Sequence, residues 1–193
     1  MIYYDYKYYY GHTVRGRSLA TAFSENEKKL IKAKLNDVAQ VCLGKYGVKR
    51  TTVEQLAQMA GISKGAFYIF YPTKEILFFN VFEEYQKSVI EAATSKLSKT
   101  VTLNVQGFSE LIYGLFQNMR QSFIMNIIQQ QEFDYLIRKL PVELITSHHS
   151  FDDMISQNLF SYLKVKDNIV VGLVTASLRA IFMSMLHVKE IGE

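Results

Sequence analysis

Apolar positions along this chain recur at helical spacing almost from end to end, and turn residues break them into short and long runs. Ser24 with Glu27 forms a capping box, and behind it Ile31, Leu35, Val38, Cys42 and Tyr46 continue one face of a helix that ends at Gly47. Val53, Leu56, Ala57 and Ala60 then recur at i, i+3, i+4 and i+7, the stripe of a short amphipathic helix. Thr51 and Glu54 fit a capping box at its start, and Gly61 supplies the left-handed residue that ends it. Ser63 can cap a second short helix with Phe67, Phe70 and Tyr71 on its inner side, and Pro72 forbids its continuation.

Longer elements follow. Thr73 caps a helix from about Lys74 to about Leu97, roughly 36 Å at 1.5 Å per residue, with Leu77, Val81, Tyr85, Val89 and Ala92 as its inner face. Val105, Phe108, Leu111, Ile112, Leu115, Phe116 and Met119 mark another. Phe123 to Leu140 reads as helix with a break near Gln129–Gln131, and Pro141 follows. Ser150 opens a helix to about Leu163, and Asp167 caps a last one to about Val188. No stretch sustains the period-2 alternation of a strand. The fold class is therefore all-α: an N-terminal three-helix bundle with a helix-turn-helix, over residues 24–73, and a C-terminal helical domain, over 74–193. The first 23 residues, with six tyrosines among the first ten, read as a mobile extension in which Arg15 and Arg17 either reach a minor groove or make no fixed contact.

Charge sharpens this picture. Residues 1–75 hold 12 Lys and Arg against 6 Asp and Glu, whereas residues 76–193 hold 10 against 12. A basic N-terminal part beside a mildly acidic remainder points to a polyanionic partner at one end. Apolar content of 49% with 21% charged residues is that of a globular protein. One cysteine, Cys42, excludes an internal disulfide framework and fits a reducing cytoplasm, where a small buried apolar role suits it.

Helix, glycine turn and second short helix with a basic start make the shape of a DNA-reading helix-turn-helix. The residues carry a closer resemblance. TTVEQLAQMAGISKGAFYIFYPTKEIL resembles the DNA-binding signature of the TetR family of bacterial transcriptional regulators, without a gap from Gly47 to Leu77. Ser63-Lys64-Gly65, Tyr68 and Lys74-Glu75 sit where that family has them. With the preceding helix, the resemblance covers about a quarter of the chain. It implies backbone contacts to DNA from Thr51, Thr52, Ser63, Tyr68 and Lys74, and each offers a donor. Lys64, Gly65 and Ala66, at the exposed start of the second short helix, would face base edges. Two positions depart from the family, which commonly has polar or basic residues at Ile69 and Phe70. Phe70 loses a phosphate donor, while Ile69 either touches a thymine methyl or packs against the domain.

The last helix is apolar on nearly all sides, with Arg179 its one charge between Asp167 and Lys189. A charge in mid-segment and the lack of a second apolar span argue against a membrane. Gly172, Ala176, Ala180 and Ser184, spaced four apart, form a small-residue stripe suited to meeting its copy across a two-fold axis, with Leu173, Val174, Leu178, Ile181 and Met185 turned to the core. Packing inside one subunit is the alternative. The resemblance implies a four-helix dimer interface from the last two long helices, and one more helix is expected where the chain reaches Ile191-Gly192-Glu193.

The resemblance also implies a small, often apolar or aromatic effector that moves the long helix beginning at Lys74. Tyr85, Phe108, Ile112, Tyr113, Phe116, Met119, Phe123 and Tyr135 are the expected pocket liners; plain core is the competing reading. Enzymatic readings fare worse. GISKG lacks the spacing and terminal GK[ST] of a phosphate loop, and the adjacent His148 and His149, read as surface residues near a helix end, gain no further metal ligand from spacing. No metal or cofactor is expected. The sequence thus predicts a cytoplasmic, dimeric regulator, most simply a repressor, that binds a double-stranded pseudo-palindromic operator and is released by a small effector. Two alternatives stand beside it: a DNA-binding module whose second domain docks a protein, and a nonspecific nucleoid-type binder.

Overall fold

The computed structural model describes residues 23–97, 104–148, 153, 157, 170–186 and 191. The Tyr-rich start with Arg15 and Arg17, the expected cap residues Ser150 and Asp167, and Met185 as a core side chain lie outside what is described. The described elements are α1 (Glu25–Lys45), α2 (Gly47–Arg50), α3 (Val53–Ala60), α4 (Lys64–Phe70), α5 (Lys74–Leu97), α6 (Val105–Arg120), α7 (Phe123–Gln129), α8 (Phe133–Arg138) and α9 (Val171–Leu186). Residues 142–148 are helical as well, and no strand occurs among the described residues. The protein is all-α, as its hydrophobic periodicity requires.

Local sequence explains most boundaries. Ser24 and Glu27 close a reciprocal capping box at the start of α1, satisfying two amides that have no partner within the helix. Tyr46 ends α1, and Gly47 turns the chain at φ 78° into the single turn of α2. The capping box of α3 lies one residue later than its sequence suggests. Thr52, not Thr51, is the cap, with Gln55 as its partner at 2.9 and 3.2 Å. Thr51 is excluded because its hydroxyl turns back to donate to the Gly47 carbonyl at 2.7 Å. Gly61 ends α3 at φ 73°, and the Gly61 and Ile62 amides bond back to carbonyls of its last turn. Tyr71 and Pro72 stop α4, and the Thr73 hydroxyl accepts from the Ile76 amide to start α5.

A continuous core joins these elements across the expected boundary at residue 73. Leu35, Ala39, Cys42 and Leu43 of α1 pack with Leu56 and Ala57 of α3, Phe67 of α4, and Leu77, Phe78 and Val81 of α5. Ile124, Ile127 and Ile128 of α7 belong to the same cluster, so the C-terminal helices rest directly on α1. The inner face of α5 runs through Ala93, and Ala92 is exposed, one residue from the expected register. Between α1 and α5, Glu84 accepts from both Asn36 and Asn80. Burial, with the nearby Glu84 charge, holds the Tyr71 phenol well above its ordinary pKa and keeps it neutral.

On α9 the small-residue stripe faces away from the subunit: Gly172, Ala176, Ala180 and Ser184 are all exposed. The expectation that its bulky residues turn inward needs correction. Leu173 and Ile181 are exposed beside the stripe, while Val174 and Leu178 are half-buried. Arg179 leaves the apolar surface by pairing with Asp153 at 2.8 Å. Among the described residues, no helix is long and apolar enough to cross a membrane.

The two left-handed glycines give a test of this architecture. An added Cβ meets nothing within 4 Å at Gly61, but at Gly47 it falls 2.5 Å from both Gln130 Oε1 and Glu132 Oε2. Gly61→Ala should cost only the conformational penalty, about 1–2 kcal/mol. Gly47→Ala should cost clearly more in urea unfolding, because side chains of another element must also move. Equal losses would show that the 130–132 linker does not rest on Gly47.

Candidate nucleic-acid interface

The start of α4 is held outward by its own cap and its own apolar side. Ser63 Oγ accepts from the Ala66 amide at 3.0 Å, and Phe67 is fully buried with its ring edge-on to Tyr68. Truncating a buried phenylalanine costs about 3–5 kcal/mol, so Phe67 is a firm anchor for so short a helix. With Phe67 inward, Lys64, Gly65, Tyr68 and Ile69 emerge on the opposite side, a single stripe at i, i+1, i+4 and i+5. Tyr68 is 50% and Ile69 38% exposed.

This placement decides several sequence expectations. Ile69 faces outward instead of packing against the domain. Phe70 is half-buried with its ring 5.7 Å from that of Phe23, which explains an apolar residue at that position. Ala66 is buried and cannot face base edges, because it lies on the inner side of α4 next to Phe67. Thr51 is fully buried with its hydroxyl committed to Gly47, so it is not available to a phosphate. Thr52 and Ser63 are exposed caps, each spending side-chain acceptor capacity on its own helix.

Lys74 is placed differently from its expected role. Its ammonium donates to the carbonyls of Val48 at 2.8 Å and Thr51 at 2.6 Å, with Lys49 at 3.4 Å. These are carbonyls at the end of α2 that have no helical partner, so Lys74 is a structural clamp. Lys64 carries its charge to the surface and pairs with Glu54 of α3. Hydrogen bonding to Lys64 holds the Glu54 carboxyl below its ordinary range, and the same bond raises Lys64. Both are therefore charged at neutral pH.

Beside α4 a cleft of about 290 Å³ brings together Lys49, Thr52, Tyr68, Thr73 and Lys74. The first turns of α3 and α5 both border it, and helix starts favour anions through free amides and the helix dipole. Lys49 and Arg50 were missed by sequence reasoning. Both are exposed, and the signal was the Lys-Arg pair directly before Thr51. Lys49 also lies over the Tyr135 ring at 5.3 Å.

The expected effector liners do not form one group. Tyr85 and Phe123 pack edge-on at 5.4 Å, and Phe108, Ile112, Phe116 and Met119 are half-buried. Tyr113 is 65% exposed, and Tyr135 sits under Lys49 and Lys139, beside the DNA-binding elements. None of the eight lines the cleft beside α4 or the open cleft at Lys49, Arg50, Gln130 and Glu132. His148 is also not the surface residue expected: it packs against Phe79 and Phe82 at 5.3 and 5.6 Å, with Glu83 3.4 Å from its Nδ1. His149 is outside the described residues. No group of three potential metal ligands exists among those described.

Residues 35–81 match the family described as "Bacterial regulatory proteins, tetR family". An 80-residue stretch is 32% identical to the nucleoid occlusion factor SlmA of Haemophilus ducreyi, covering 38% of this chain and 40% of that protein. A 61-residue stretch is 39% identical to YuxN of Bacillus subtilis, described as an uncharacterized HTH-type transcriptional regulator, covering 32% of this chain and 19% of that protein. The chain thus aligns with less than half the length of either relative. Fold and matches together show that residues 35–81 are similar to the DNA-binding part of TetR-type regulators. That family is one of regulators, not enzymes.

The two lysines should separate cleanly. Lys74→Ala leaves three carbonyls without their donor and should lower the unfolding free energy by about 1.5–3 kcal/mol. Lys64→Ala, which removes an exposed ion pair, should leave the urea midpoint where it is. An unchanged midpoint in Lys74→Ala would contradict the clamp.

Proposed function

We propose that this protein is a ligand-responsive regulator, most simply a repressor, acting in the bacterial cytoplasm. It binds a pseudo-palindromic operator as a homodimer and is released by a small, largely apolar effector. The observation that carries the DNA half of this reading is the outward stripe of Lys64, Gly65, Tyr68 and Ile69, set beside the hydroxyls of Thr52, Ser63 and Thr73. Lys64 suits a guanine edge, Ile69 a thymine methyl, and Gly65 permits close approach. The hydroxyls and Lys49 suit phosphates, which fix register without reading sequence.

Dimerisation is supported by α9, whose exposed small-residue stripe is flanked by exposed Leu173, Ile181 and Met183. Small residues let two backbones approach, and the flanking apolar side chains gain from removal from water. Two copies would set the α4 helices about 34 Å apart, in successive major grooves. The effector half rests on α6, where not one residue of a strongly amphipathic helix is fully buried. A ligand covering that stripe acts on DNA binding only through differential affinity for the two arrangements. The likeness to a nucleoid occlusion factor of Haemophilus favours keeping a nucleoid-type binder as the second reading.

Selection of duplexes from random DNA by the full chain should return inverted half-sites with centres one helical turn apart. Lys64→Ala and Tyr68→Phe should each weaken binding to the selected duplex, by about tenfold for the lysine. Recovery of no shared sequence, with binding that falls steeply in salt, would instead support the nonspecific binder. Ala176→Glu on α9 should yield monomers in sedimentation and lose the inverted symmetry.

A further inference from the structure

The turn between α1 and α3 is supported only in part by its own neighbours, through the Thr51 hydroxyl on the Gly47 carbonyl. Several of its other backbone polar groups are met by side chains from farther along the chain. Glu132, in the linker between α7 and α8, is 4% exposed and accepts from the Val48 amide at 2.5 Å and the Lys49 amide at 3.3 Å. Asn126 of α7 donates to the Leu43 carbonyl at 2.6 Å, at the end of α1. Lys74 holds the carbonyls at the far end of α2. The short helix leading into the helix-turn-helix thus carries an anion at its amide end and a cation at its carbonyl end, the orientation its dipole favours.

The linker is built to deliver Glu132 there. Gln131 adopts φ 54°, a left-handed conformation uncommon outside glycine, directly after Gln130 ends α7. The Glu132 amide bonds to the Ile127 carbonyl at 3.0 Å, and its own carbonyl accepts from Leu136 at 2.9 Å. With its backbone fixed on both sides, the carboxylate sits against a glycine that leaves no room for a Cβ.

We propose that Glu132 is a positioning residue for DNA binding: from the C-terminal helices, it fixes α2 and thereby the Lys49, Thr52 and α3–α4 groups presented to the duplex. This rests on the operator-binding reading above. It gives the C-terminal domain a second point of action on the DNA-binding elements, separate from the start of α5. Displacement of the 130–132 linker would release the Val48 and Lys49 amides and loosen the turn that sets the register of α3.

The sign of the effect makes the proposal testable. Removing a carboxylate near a DNA-binding surface strengthens binding if only long-range charge matters. A positioning role predicts the opposite. With the full chain and a duplex selected from random DNA, Glu132→Ala should bind about tenfold more weakly, and Glu132→Gln, which keeps an acceptor oxygen, should fall between. Amide exchange should accelerate at Val48 and Lys49 while the α7 core amides keep their protection. Equal or tighter binding in both variants overturns the proposal, as does unchanged exchange at those two amides. Should the alanine variant not fold, the glutamine variant is judged by the same two criteria. A wild-type chain that selects no duplex sinks the operator reading and with it the role in DNA binding, while the exchange measurement still reports on the contact itself.

Discussion

The constraint on which this structure depends is the backbone between Leu43 and Thr51, where one helix ends, another turns once, and a third begins. Such a corner exposes more amides and carbonyls than its own hydrogen bonds can satisfy. Thr51 meets one carbonyl locally, at Gly47. The Leu43 carbonyl is met by Asn126, the Val48 and Lys49 amides by Glu132, and the Val48 and Thr51 carbonyls by Lys74. Buried backbone groups left unpaired are costly, so these three side chains tie the DNA-binding elements to the rest of the molecule. The shared core, from Leu35 through Phe67 and Leu77 to Ile127, does the same by burial.

From that corner the interface follows. Fixing α2 fixes Thr52 at the start of α3, and Gly61 then turns the chain so that Phe67 reaches the core. Once Phe67 is inside, the period of the helix leaves Lys64, Gly65, Tyr68 and Ile69 no choice but the outer side. Lys64 meets Glu54, so a duplex bound there as proposed would compete with a surface ion pair that is itself weak in water. Lys74 has a different employment, and the cleft beside it relies on Lys49 and on hydroxyls for polar contact.

Much of this was legible in the sequence because the signals are local. Ser24 with Glu27, Gly61, Ser63 and Pro72 each act within four residues, and the structure has each where its chemistry predicts. Thr51 and Thr52 could not be told apart so simply: both are good caps, and the choice depends on Gly47 offering a carbonyl to the first. Ala66 was misplaced for a related reason, since a seven-residue helix with a small side chain gives periodicity little to read. Glu132 and Asn126 left no signal, as both act on backbone more than 80 positions away. The effector liners fared as any apolar stripe does, because packing, pocket and partner surface share one pattern.

The most direct test of the central claim is chemical footprinting at guanine N7, a major-groove atom, on a selected duplex bound by the full chain. The account predicts two protected patches on one side of the duplex, about one helical turn apart, that fade together when Lys64 is replaced by alanine. Protection spread evenly along the duplex, or confined to the minor groove, would contradict it.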